Sequence, residues 1–162
     1  MSVDLPRAPD WPALERAVKR GQISARLDAS TAAAAHHLKG QLVYLSCPFA
    51  RSNRDDLDQF DRLAVLDFEV RAARWVKLLA VLNVPAACPA AMRCQMLTAD
   101  MENELRPLDG AFWAEFSRPF LFAAGAVVVP PMPGWRLSRE VWADVCWALQ
   151  SNVPVWQIRR AG

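Results

Sequence analysis

Residues 41–50 read QLVYLSCPFA, a short apolar run closed by Pro48. With no polar alternation through Val43, Tyr44 and Leu45, both faces of this segment meet protein, as in a parallel strand sandwiched between helices. It is read as the first strand. Downstream, RSNRDDLDQ is polar, and then Val65, Phe68, Ala72, Trp75, Leu79 and Leu82 recur at steps of three and four. That spacing is the stripe of a core-facing helix, ending near Asn83. VPAACP at 84–89 and the β-branched GAVVVPP at 125–131 supply two more strands. Between them, MENELRPLDGAFWAEFSRPFLFAA reads as helical pieces interrupted at Pro107, Gly110 and Pro119. Ser138 is an N-cap for SREVWADVCWALQ, where Val141, Val145 and Ala148 share a face, and VPVWQI at 153–158 is the last strand. Upstream, residues 1–40 read as a helical N-terminal extension, with Pro12 in a first turn and an alanine-rich segment stopping at Gly40. Strands alternating with helices predict an α/β fold: a parallel sheet covered on both faces, with every strand's C-terminal end on the edge where ligands bind.

The chain has 162 residues, 53% hydrophobic and 22% charged, which suits one soluble globular domain. Nineteen Lys and Arg against 17 Asp and Glu leave a net charge of +2, so no nucleic-acid partner is expected. No run approaches the roughly 20 apolar residues of a membrane span, and MSVDLPRAPDWP lacks the pattern of a secretion signal. The expectation is a cytoplasmic protein without membrane contact. Cys47, Cys88, Cys94 and Cys146 form no CxxC pair and read as reduced, buried thiols. His36 and His37 are adjacent and point about 100° apart on a helix, so they do not share a metal. Neither a metal nor a cofactor is expected.

The sequence carries no GxxxxGK[ST], GxGxxG or GxSxG, which removes the common ATPase, dinucleotide-binding and α/β-hydrolase readings. What remains are polar groups at predicted strand ends: Tyr44, Ser46, the PPMPGWRLS loop, and Glu140 and Asp144 beyond it. Four residues apart on a helix, the two carboxylates project from one face. Such a pair can split its pKa values and divide acid and nucleophile roles, or Glu140 can simply complement the helix dipole.

VYLSCPFA, FWAEFSRPFLFAAGAVVVPPMPGWRLSREVWADVCWAL and NVPVWQI resemble the nucleoside 2-deoxyribosyltransferase superfamily. The likeness is to its uncharacterised branch, which has a YLASPY-like first strand and a PGWxxSxGxxxE motif. The resemblance covers residues 41–158 and implies a flavodoxin-like three-layer sandwich with a parallel sheet of four or five strands. It divides the chain into the extension, 1–40, and a deoxyribosyltransferase-like α/β domain, 41–162. It further implies cleavage or exchange of the N-glycosidic bond of a small-molecule nucleoside or nucleotide by a carboxylate nucleophile on the helix after the PGW loop. Residue by residue, that nucleophile falls on Asp144, the family's strand tyrosine on Tyr44, and the PGWxxS segment on Pro133, Gly134, Trp135 and Ser138. Ser117 and Gly125 stand where the family has aspartates, and Glu140 where it has a glycine. The catalytic set is therefore Asp144, Glu140 and Tyr44, with Glu140 as the acid or as compensation for the shorter aspartate. Substrate binding is expected of Ser46, Phe49, Gly134, Trp135, Ser138 and Arg93. Phe49 and Trp135 would stack on a base, unless the tryptophans serve core packing or a subunit interface, and Arg93 or Arg51 would favour a phosphate. A homo-oligomer is also expected. The alternative is a catalytically degenerate nucleotide-binding or assembly protein of the same fold.

Overall fold

Asp10, Ser30, Asp61, Asp109 and Ser138 each accept a hydrogen bond from the backbone amide three positions on, and each starts a helix. The computed structural model describes residues 4–160. In chain order the elements are α1 (Trp11–Lys19), β1 (Ala25–Ala29), α2 (Thr31–Leu38), β2 (Val43–Leu45), α3 (Phe49–Ser52), α4 (Arg62–Val81), β3 (Ala86–Ala87), α5 (Pro89–Ala99) and α6 (Gly110–Ala123). They continue with β4 (Ala126–Val129), a 3₁₀ turn (Trp135–Leu137), α7 (Arg139–Gln150) and β5 (Val155–Ile158).

The strands form one sheet, ordered β1-β5-β4-β2-β3, in which every pairing is parallel. This is a flavodoxin-like three-layer sandwich, as expected. Alternate residues of each strand feed opposite layers. Val43, Leu45, Ala126, Val128, Trp156 and Ile158 pack with α2, α4 and α5. Tyr44, Val127, Val129 and Val155 pack with α1 and α7 and with the end of α6. Burial on both faces explains why β2, β4 and β5 read as continuous apolar runs.

Two expectations need correction. The first 40 residues are not purely helical, because Ala25–Ala29 forms β1 beside β5, and the strand read as first is the second in the chain. ARLDA hides its strand character: it lies at the sheet edge, buries only Ala25 fully, and is irregular where Asp28 adopts a positive φ of 56°. The Asp28 amide there donates to Gln157 Oε1 at 2.9 Å, a partner 129 positions away that local patterning cannot reveal. The second correction concerns α6, which runs unbroken through Pro119. Its buried Trp113 and Leu121 lie on either side of the proline, and their packing outweighs the lost backbone bond.

The segment before residue 41 is thus part of the core. Trp11 is buried, donates from Nε1 to the Arg136 carbonyl at 3.1 Å, and meets Trp135 and Trp142 edge-on at centroid distances of 4.5 and 5.2 Å. Trp11→Ala is expected to cost about 3–5 kcal/mol, read as a lower urea midpoint at unchanged slope. A change below about 1 kcal/mol would show that α1 is dispensable to the fold.

Candidate active site

From β2 the chain crosses to β3 on one side, while β4 lies on the other. The crevice at the C-terminal ends of β2 and β4 is therefore a topological switch point, where open α/β sheets bind ligands. A pocket of about 450 Å³ opens there, between the end of β2 and helices α5, α6 and α7. On α7, Glu140, Ala143, Asp144 and Trp147 all line it, the i, i+3, i+4, i+7 pattern of one helix face. Tyr44, Phe49 and Arg93 complete the predicted residues in the wall.

Asp144 lies in the second turn of α7, on the layer that Tyr44 faces. Ser46, nearly inaccessible behind the wall, donates from Oγ to Asp144 Oδ2 at 2.6 Å. Burial pushes the Asp144 carboxyl from its ordinary 3.8 up to about 7; the Glu140 charge adds to the rise, while hydrogen bonds from Ser46 and Tyr44 oppose it. Tyr44 is itself driven well above the usual phenol value, by burial first and then by the Asp144 charge. Its hydroxyl also meets Ser117 of α6.

Glu140 is held differently. Arg93 Nη1 donates to Oε1 at 2.9 Å and the Ala50 amide donates to Oε2 at 3.1 Å, so both oxygens are engaged. The Arg93 side chain is only 5% exposed, donates from Nε to the Pro107 carbonyl at 3.1 Å, and sits 3.8 Å from the Phe49 ring centroid and 4.8 Å from that of Trp113. Burial pulls its guanidinium below the ordinary arginine value, and Glu140 resists that pull. Arg93 thus lines the pocket with its Nε, Nη1 and Nη2 each donating to protein.

Gly134, Trp135 and Ser138 do not join this site. Gly134 has a positive φ of 82° at the start of the 3₁₀ turn, where a Cβ would stand 3.0 Å from Arg51 Cγ. That turn directs Trp135 to Trp11, beneath the Arg136 guanidinium at 4.9 Å, where it is half-buried against the α1 and α7 layer. Ser138 uses its hydroxyl to cap α7 at Val141. Arg51 lines a separate hollow with Gly134. Pattern reading missed the aromatic walls Trp113 and Trp147. The spacing of Trp113, Ser117 and Leu121, and of Trp147 after Asp144, is the signal that finds them. His36 and His37 lie on α2, and among the described residues no three His, Cys, Asp or Glu side chains gather as a metal site.

Fold and pocket define an α/β protein with a carboxylate-bearing, aromatic-walled crevice at its switch point. Residues 41–159 match the family model described as "Domain of unknown function (DUF1937)", and the chain belongs to that family. No curated protein and no solved structure matches it.

A carboxyl raised by folding binds its proton more tightly in the native state, so its penalty is absent below pH 3.8 and grows until about pH 7. That span corresponds to about 4 kcal/mol. Asp144→Asn, which keeps an acceptor for Ser46, is therefore expected to stabilise the protein at pH 8 by up to about 4 kcal/mol. The gain should shrink as pH falls toward 4. Denaturant unfolding at both pH values checks it, and equal stability at pH 8 would refute the burial argument.

Proposed function

We propose that this pocket cleaves or transfers the N-glycosidic bond of a nucleoside or nucleotide, with Asp144 as nucleophile. The observation that carries the reading is the difference between the two carboxylates. Glu140 has both oxygens tied to Arg93 and Ala50, whereas Asp144 faces the cavity on a single hydroxyl from Ser46 and a phenol. Breaking a C–N glycosidic bond develops positive charge at the anomeric carbon, which a carboxylate beneath it stabilises or captures covalently. Ser46 holds that carboxylate in place beside the Tyr44 phenol, the preorganisation such a step requires. Phe49, Trp113 and Trp147 give the base an apolar, aromatic enclosure. The Arg93–Glu140 pair positions the wall.

In the same reading the protein is a cytoplasmic homo-oligomer. Its four free cysteines support the location, and the exposed Leu63, Leu66, Val70 and Val81 of α4 support the assembly. No helix among the described residues is long and apolar enough to cross a membrane. A second reading, a degenerate binder, draws on Ser117, which meets Tyr44 at a position where the resemblance would put an aspartate.

The test is a panel of nucleosides and nucleotides assayed for released base and for thermal stabilisation. On any substrate found, kcat/KM should rise with pH through about 7 and then level, because the ionised Asp144 attacks. Asp144→Asn should lose at least about 10²-fold in turnover, about 2.7 kcal/mol of transition-state stabilisation, while still binding. Near-normal turnover in Asp144→Asn with loss in Glu140→Gln would transfer the role. Stabilisation without released base would favour the degenerate binder.

A further inference from the structure

Two Cys-Pro steps, Cys47-Pro48 and Cys88-Pro89, follow the neighbouring parallel strands β2 and β3. The register pairs Tyr44 with Ala87 and brings the two thiols to one depth, with their Sγ atoms 3.9 Å apart in a hydrogen bond. Both side chains are buried, yet Cys47 lines the 450 Å³ pocket, so a small solute entering the cavity reaches it. Cys88 is the N-cap residue of α5. The bond from Cys47 lowers the Cys88 thiol, helped against burial by the amides of Ala91 and Ala90, and the same bond raises Cys47. Cys94 and Cys146 have no such arrangement; burial lifts them to about 12 and about 11. Two sulfurs in hydrogen-bond contact beside a solvent-reached cavity are the geometry of an oxidisable pair.

We propose that Cys47 and Cys88 are a redox modification site, which a small hydroperoxide entering the pocket converts to a disulfide and a thiol reductant restores. The Cys88 sulfur, its proton released, attacks a peroxide lying against Cys47 in the pocket. The O–O bond breaks, the alcohol or water leaves with the Cys88 proton, and Cys88 becomes a sulfenic acid. The Cys47 sulfur then displaces that hydroxyl, the S–S bond forms, and water carries away the Cys47 proton. Two electrons pass from the sulfurs to the peroxide. Side-chain rotation brings the sulfurs from 3.9 Å to about 2.05 Å. The bridge ties the end of β2 to the first turn of α5, one turn from Arg93, so oxidation reaches the pocket wall. This site does not depend on the role proposed for Asp144.

The reduced full-length protein, treated with hydrogen peroxide, alkylated under denaturing conditions and mapped by mass spectrometry, tests it. Free thiols should fall from four to two, with a Cys47–Cys88 cross-linked peptide that dithiothreitol reverses. The pair should react faster than Cys94 or Cys146, because Cys47 lines the pocket and the Cys88 thiol is lowered while burial lifts the other two. Cys47→Ser and Cys88→Ser should each abolish the cross-link, and Cys94→Ser should keep it. Unmodified Cys47 and Cys88, or faster oxidation of Cys94 or Cys146, in protein whose circular dichroism stays native would overturn the proposal. If a serine variant does not fold, the map of the unmutated chain decides alone.

Discussion

One buried guanidinium holds the pocket's walls together. Arg93 comes from α5, donates to the Pro107 carbonyl in the loop before α6, pairs with Glu140 at the start of α7, and lies against the rings of Phe49 and Trp113. Four segments distant in sequence thus share one cation. A charge this deep costs several kcal/mol of desolvation, and only dense hydrogen bonding and a counter-charge offset it. Glu140 supplies the counter-charge and binds the Ala50 amide in turn, which fixes α3 against α7. The position of Asp144, one turn along α7, follows from that anchorage.

The sheet was readable because its central strands are buried on both faces. VYL, AVVV and VWQI carry no polar interruption except Gln157, and each announces a strand from composition alone. The Glu140 and Asp144 pair was readable for the same kind of reason, since helical spacing puts them on one face. The edge strand ARLDA was not, because half of it faces solvent and its register depends on Gln157. Gly134, Trp135 and Ser138 lie outside the pocket lining, the first two at a left-handed turn that no motif announces and Ser138 as the helix cap that the sequence does announce. Trp113 and Trp147 line the pocket at helical spacings from Ser117 and Asp144 that the sequence does contain, although those spacings come into view only once Asp144 is taken as the reference point.

Asp144 also carries a folding cost. A carboxyl raised to about 7 by burial is unfavourable to the native state at neutral pH, and proteins tolerate such groups where a site needs them. The surrounding apolar layers of α1, α7 and the sheet absorb that cost.

The position of β1 governs how the chain can reach its native state. Ala25 pairs with Val155, 130 positions later, so the sheet's first strand waits for its last. Closing so long a loop is entropically slow. During synthesis the β1 segment finds its neighbour only after the 130 positions that separate Ala25 from Val155 have left the ribosome. Until then Trp11 and Leu14 have no finished layer to cover, which makes the nascent N-terminal segment the part most in need of protection from aggregation.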